Sequence, residues 1–472
     1  MESRLSSTSL YNTKTLAKEE FQPLEAGHAR MYSCGPTVYS PQHVGNLRPY
    51  VLADLLRRGL ELDGLRVTQV INVTDVGHLV DDADDGEDKM EKAAQETGRR
   101  AEEIAQEHTA QWLEDRHRLN IRDPDVLCRA TEHIPEQIAM VKRLEDRGYT
   151  YRLPDGIYFD TSRFPRYAEF ARLDLEQQRG GARIGEVAGK RQPPDFALWK
   201  FAPADAKRQQ EWDSPWGRGF PGWHIECSAM SVRYLGERFD IHTGGVEHVR
   251  VHHTNEIAQA ECALDVSPWV SIWMHHDWIV FEGEKMSKSL RNIYVLQDLV
   301  DQGCLPLSLR YFFLQAHYRK QQNFNDGAIA AADRGYRRLL GLAAEVRDAT
   351  ENVDPEEMTF HADAFRAARQ DDLNAPRALA IASEVAHSTE ISAAGRRQLL
   401  LDFDAWLGLG LVRSDPPEPE QEADPRIDAL VAERDAARAA KEWARADQIR
   451  DELAAEGVEV IDTDDGAKWK RR

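Results

Sequence analysis

The chain has only five cysteines in 472 residues: Cys34, Cys128, Cys227, Cys262 and Cys304. So sparse and odd a set argues against a disulfide framework and leaves reduced thiols or metal ligation as the uses of cysteine. Long apolar runs are missing too. Nothing approaches the ~20 residues a membrane helix needs, and the N-terminus lacks the charged-then-apolar pattern of a secretory signal. A reducing, cytoplasmic setting is the expectation. Positive charge is also short: 60 Lys and Arg stand against 81 Asp and Glu, a formal net charge of −21. That argues against indiscriminate nucleic-acid binding, because counterion release needs surface cations, but it leaves room for a local basic face.

What is present is too long for one ordinary core, so several domains are expected. Residues 31–48, MYSCGPTVYSPQHVGNLR, read as a short strand, a Gly-Pro turn and a helix start. Leu47, Val51 and Leu55 then recur at i, i+4 and i+8, the stripe of an amphipathic helix. Gly64 ends it, and the β-branched run 67–73 supplies the next parallel strand of a βαβ unit. At such a junction, backbone N–H groups and the positive end of a helix dipole meet phosphate, to which His43 and Asn46 can donate. Thr74 lies at the C-terminal edge of the second strand, where open parallel sheets bind ligands. On position alone, a packing histidine and a turn threonine compete with these readings.

The fold class expected is α/β. Residues 1–124 form the first half of a nucleotide-binding domain and 125–220 a connective insertion with a hairpin signal at Asp155-Gly156. Residues 221–300 form the second half, its parallel strands resuming at 238–242 and 278–281. Beyond about residue 290 the periodicity is helical and strands are expected to disappear, giving a bundle over 301–413. Residues 414–425, rich in Pro and acid, read as a linker before a small module at 426–472. In that module Arg434, Arg438, Lys441 and Arg445 recur at helical spacing, one expected cationic face. The chain closes with Lys468-Trp469-Lys470-Arg471-Arg472. Either group suits nucleic acid or a solvated surface.

A metal constellation stands out. His252 and Glu256 are four apart, which on a helix places both on one face. With Cys34 and Cys227 they make two thiolates, one imidazole and one carboxylate, a set suited to zinc in charge, softness and number. His248, His253, His275 and His276 compete as imidazoles, but four residues after His253 comes Ile257, which cannot ligate. For each cysteine singly, a buried small hydrophobe is the competing reading.

Taken together, several segments resemble the cysteinyl-tRNA synthetases, a family of class I aminoacyl-tRNA synthetases, over about residues 31–469. They are Cys34-Gly35-Pro36-Thr37-Val38-Tyr39 leading to His43-Val44-Gly45-Asn46, Gly222-Trp223-His224-Ile225-Glu226-Cys227, His252-His253 with Asn255-Glu256, and Lys285-Met286-Ser287-Lys288-Ser289. The resemblance implies a Rossmann-like parallel-sheet catalytic domain with a connective insertion, a helical tRNA-side bundle and a small C-terminal module. It implies one zinc ion per subunit on Cys34, Cys227, His252 and Glu256. ATP, with Mg2+, would meet His43, Asn46, Gly244, Gly245, Lys285 and Lys288, of which His43, Asn46, Lys285 and Lys288 serve catalysis. Gly35, Thr74 and Trp223 would border L-cysteine, and tRNA(Cys) would be the partner.

Against the family pattern, Asn46 replaces the usual second His, Arg250-Val251 a Phe-Pro, and Thr254 a Glu, while Thr243-Gly244-Gly245 replaces a triple-Gly turn. Two other readings stand beside this one. A cysteine ligase of thiol-cofactor synthesis would share the catalytic half but lack a full 301–472 region. A non-catalytic zinc-binding RNA-associated protein would not need His43, Lys285 and Lys288 together.

Overall fold

The computed structural model describes residues 8–77, 88–173, 189–202, 208–281, 284–285, 294–412, 425–440, 442–455, 458–463 and 466–471. The chain forms two compact units, Met1–Val412 and Arg413–Arg472.

The first unit opens with the hairpin β1 (Ser9–Asn12) and β2 (Ala17–Glu20), followed by β3 (His28–Ser33), α1 (Val44–Leu62) and β4 (Arg66–Val73). The βαβ expectation therefore holds, and Leu47, Val51 and Leu55 are all buried. Helices α2 (Lys89–Thr97) and α3 (Ala101–Arg118) lead to β5 (Val126–Arg129) and α4 (Ile134–Asp146). Strands β6 (Thr150–Leu153), β7 (Gly156–Phe159), β8 (Phe196–Phe201) and β9 (Gly219–Pro221) form an antiparallel four-stranded sheet, with Asp155-Gly156 at its first turn. The chain then returns through α5 (Trp223–Leu235), β10 (Phe239–Gly245), α6 (His252–Leu264) and β11 (Val270–His276).

Five strands, in the order β11-β10-β3-β4-β5, make an all-parallel sheet. Strand β3 lies between its chain successor β4 and the distant β10, so the strand order reverses beside it. Ligands bind at such a switch point, outside the carboxyl ends of the strands. Both faces are covered. Ala29 and Met31 of β3 pack in a core shared with α1 and the later helices, while Tyr32 packs in a second core with α4, α5 and α6. Burial on both sides is why these strands read as apolar runs without clean alternation.

Two strand expectations change. The fifth parallel strand is β11, whereas the segment expected at 278–281 is β12 (Ile279–Phe281) of a separate three-stranded sheet with β13 (Glu284–Lys285) and β14 (Gln322–Phe324). Strands also persist beyond residue 290: β14 follows α7 (Leu296–Asp301) and α8 (Pro306–Leu314). The bundle proper is α9 (Asp326–Glu345), α10 (Pro355–Gln370), α11 (Ala375–His387) and α12 (Ala393–Leu407). It is fastened to α1 by Trp406 Nε1 donating to Leu55 O at 2.8 Å and by Arg369 Nη1 donating to Gly59 O at 2.5 Å.

The second unit contains α13 (Pro425–Ala439), α14 (Trp443–Ala455) and the hairpin β15 (Val458–Thr463) and β16 (Gly466–Arg471). The expected cationic face is divided: Arg434 and Arg438 lie on α13 and Arg445 on α14. Arg434 is 8% exposed, and Arg445 Nη2 pairs with Glu433 at 2.6 Å. Lys441 and nearly all of the expected linker lie outside the described residues. Among those residues, no helix is long and apolar enough to cross a membrane.

Candidate active site and metal centre

Three segments meet at the switch point. Cys34 follows β3, its N–H donating to Thr243 O of β10 at 3.2 Å. Cys227 lies in the second turn of α5. His252 and Glu256 occupy the first two turns of α6, with His252 Nε2 2.8 Å from Glu256 Oε1. The ligating atoms of Cys34, Cys227, His252 and Glu256 all lie within 4.8 Å of one another. Cys227, His252 and Glu256 are buried, whereas Cys34 keeps some exposure. The i, i+4 spacing and the two remote cysteines thus come together as expected.

A second set, Cys34, His242, His253 and Glu256, meets the same distance criterion. Its imidazoles are already engaged. His253 bonds Cys34 Sγ at 3.3 Å through Nε2 and His275 Nε2 at 2.7 Å through Nδ1. His242 Nε2 bonds Glu256 Oε2 at 2.8 Å, and its ring stacks on Trp273 with centroids 4.6 Å apart. Glu256 Oε1, by contrast, is buried against His252 Nε2 at 2.8 Å, on the side where the two sulfurs lie. A carboxylate oxygen converging with two sulfurs and an imidazole in a buried cluster fits zinc. His242 on the other carboxylate oxygen, and His224 at 2.9 Å from His252 Nδ1, then serve as the outer partners that orient ligands. Sequence reasoning gave no role to His224, although it stands in the Gly222–Cys227 segment, or to His242, which carries no local mark.

The electrostatics favour a cation here. Burial would raise the Glu256 pKa, yet His242 and His252 outweigh it and hold the carboxyl at about 2. Burial would lower that of His252, but Glu256 and Cys227 raise it to about 10. A hydrogen bond from Cys34 favours the Cys227 thiolate, while burial and Cys227 push the Cys34 thiol well up. Burial and neighbouring imidazoles push His253 and His275 well below the usual range, keeping them neutral. The pocket therefore stabilises positive charge at the His252 position and holds acceptors elsewhere.

Glycines set the close approaches. A Cβ on Gly35 would sit 1.5 Å from Asn72 O, so only glycine lets the turn after Cys34 lie against β4. Asn72 Oδ1 accepts from Gly35 N at 2.9 Å, and its Nδ2 donates to Thr74 Oγ1 at 3.1 Å. Asn72 fixes two expected substrate-bordering residues. Its signal was an amide near the end of the β-branched run 67–73, which also holds Gln69. Trp223 opens α5 with its ring centroid 4.5 Å from that of His252. At the end of β10, a Cβ on Gly244 would lie 2.5 Å from the His253 ring, and one on Gly245 2.4 Å from the Glu247 carboxylate.

Helix α1 begins at Val44 with His43 as N-cap and no acidic residue in its first turn. Val44 N donates to Tyr294 O at 2.8 Å, and the exposed Asn46 donates through Nδ2 to Gln42 Oε1 at 3.1 Å. Lys285 ends β13 opposite Val280. Lys288 and the rest of residues 286–293 lie outside the described residues.

A parallel sheet with its site at the switch point, followed by a helical bundle, is the architecture of a class I aminoacyl-tRNA synthetase. A methionyl-tRNA synthetase of Mycobacterium tuberculosis, solved with methionyl-adenylate, shares this fold with a TM-score of 0.54 at 16% identity, covering 83% of this chain and 92% of that one. So does a leucyl-tRNA synthetase of Agrobacterium radiobacter, with a TM-score of 0.60 at 10% identity and 86% and 88% covered. In sequence, residues 20–334 match the profile of the class I (C) tRNA synthetase catalytic domain, and residues 420–469 that of the cysteinyl-tRNA ligase anticodon binding domain. The chain is 48% identical to cysteine–tRNA ligase 1 of Burkholderia lata, covering 97% of this chain and 96% of the relative. It is 45% identical to cysteine–tRNA ligase of Novosphingobium aromaticivorans, with 98% and 96% covered. The chain belongs to the cysteine–tRNA ligase family.

Proposed function

We propose that this protein is an ATP-dependent ligase that joins L-cysteine to the 3′ end of tRNA(Cys). The carboxylate oxygen of cysteine attacks the ATP α-phosphorus, the bond to the bridging oxygen breaks, and pyrophosphate leaves. The cysteinyl group then passes to the terminal ribose hydroxyl of tRNA with release of AMP. The convergence of Cys34, Cys227, His252 and Glu256 at the switch point carries this reading.

Two anionic reactants must meet, so catalysis is positioning with charge stabilisation. His43, Asn46 and the N-terminus of α1 are assigned to the phosphates together with Lys285 and Lys288, and Mg2+ would shield the triphosphate. Gly244 and Gly245 leave room for the nucleotide, while Gly35, Thr74 and Trp223 border the amino acid. Held by the four ligands, zinc supplies a soft acid that favours a thiolate over an alcohol. That matters because a plain pocket separates substrates differing by one small group only ~10–200-fold. The 301–412 bundle and the C-terminal match support tRNA, rather than an amino sugar, as acceptor. Cysteine-dependent ATP–pyrophosphate exchange, followed by charging of purified tRNA(Cys), tests the reading. Exchange without charging would point to the thiol-cofactor ligase, and absence of exchange would remove the activity.

A further inference from the structure

Arg48 is 3% exposed, and the Asp277 carboxylate acts on its guanidinium as a nearby charge. Its donors instead reach four backbone carbonyls on two separate segments. Nη1 donates to Asp277 O at 2.6 Å and Trp278 O at 3.3 Å, just ahead of β12. Nη2 donates to Lys320 O at 2.9 Å and His317 O at 3.3 Å, just ahead of β14. These strands pair in parallel, Ile279 opposite Gln322, and β12 also carries β13, which ends at Lys285. A few residues earlier on the same helix, Val44 N donates to Tyr294 O at 2.8 Å. One side chain of α1 thus grips the base of the sheet whose strand β13 ends at Lys285, while the first N–H of that helix bonds Tyr294 O, the next described residue after Lys285.

Burying a guanidinium that bonds carbonyls rather than a carboxylate is costly, and a hydrophobic residue would fill the same space at lower cost. A planar fork, unlike an ammonium, can satisfy two pairs of carbonyls at once. We propose that Arg48 is a positioning residue for adenylate formation, setting the gap between the α1 N-terminus and the lysine-bearing sheet across which the triphosphate is held. This rests on reading those two elements as opposite walls of the phosphate site. A wall misplaced by about 1 Å can cost ~100-fold in rate.

The test is cysteine-dependent ATP–pyrophosphate exchange by the full-length, zinc-loaded Arg48→Ala protein, with and without added methylguanidinium. The expected result is a kcat lower by ~100-fold, with KM for cysteine and zinc content unchanged, and recovery of at least ~10-fold when methylguanidinium fills the vacated position. If Arg48→Ala does not fold, Arg48→Lys, whose single ammonium cannot reach both segments, carries the same prediction without the rescue arm. A kcat within threefold of wild type overturns the proposal. So does failure of rescue in a folded variant, or a parallel loss of zinc, cysteine binding and thermal stability. The underlying reading is checked separately: if His43→Ala leaves exchange intact, the phosphate wall is misassigned whatever Arg48 does.

Discussion

Asp54 and Arg310 meet at 2.6 Å with both side chains wholly buried, joining α1 to α8 across more than 250 residues of chain. Arg58 completes the group, 2.7 Å from the same carboxylate oxygen. Arg310→Met would leave that carboxylate with Arg58 as its one paired cation, beside the Arg122 N–H, in a dry interior. The expected loss is about 3–5 kcal/mol, the usual result of breaking a buried pair from one side, measured by denaturant unfolding. Burial raises the Asp54 pKa, but Arg310 and Arg58 together pull it below the ordinary carboxyl value. The contribution is therefore complete above the unfolded pKa of about 3.9 and is lost as pH falls through the lower folded value. Asp54→Asn should remove that acid limb from the stability profile.

Metal content separates the two overlapping ligand sets. His252→Ala should lose zinc after dialysis, while His242→Ala should retain it with affinity lowered ~10–100-fold, the usual effect of removing an outer partner. Elemental analysis per subunit decides. Zinc retained by His252→Ala and lost from His242→Ala would move the ion to the second set.

Gly35→Ala tests the approach of the Cys34 turn to β4. A methyl placed 1.5 Å from Asn72 O forces the backbone apart, at about 1–3 kcal/mol of overpacking. Because the turn carries Cys34, KM for cysteine should rise at least ~10-fold, with KM for ATP little changed, in steady-state exchange kinetics.

Lys285→Ala and Lys288→Ala should each lower kcat of exchange by ~100–1,000-fold, as loss of a preorganised charge partner does. Zinc content and melting temperature should stay at wild-type values. A loss confined to KM for cysteine would instead place these lysines at the amino acid.

Much of this was legible because local periodicity and ligand chemistry are written into short segments. The βαβ unit followed from Leu47, Val51 and Leu55 and the strand after Gly64, and His252 with Glu256 from helical spacing. What was not legible depends on contacts between distant segments. Residues 270–276 mix Trp273, His275 and His276 with apolar positions, and only the pairing of β11 with β10 reveals a central-sheet strand. The cations of the C-terminal module share a spacing, but the break between α13 and α14 divides them. Asn72, His242 and Arg48 have no local pattern, since their partners lie far away in sequence or across strands.

The central claim is that one ion on Cys34, Cys227, His252 and Glu256 reads the amino acid by its sulfur. Zinc-edge X-ray absorption on the full-length protein tests it most directly. Without substrate it should show two sulfur neighbours at about 2.3 Å; with L-cysteine, three; with L-serine, still two. A sulfur count that stays at two when cysteine is bound would contradict the account.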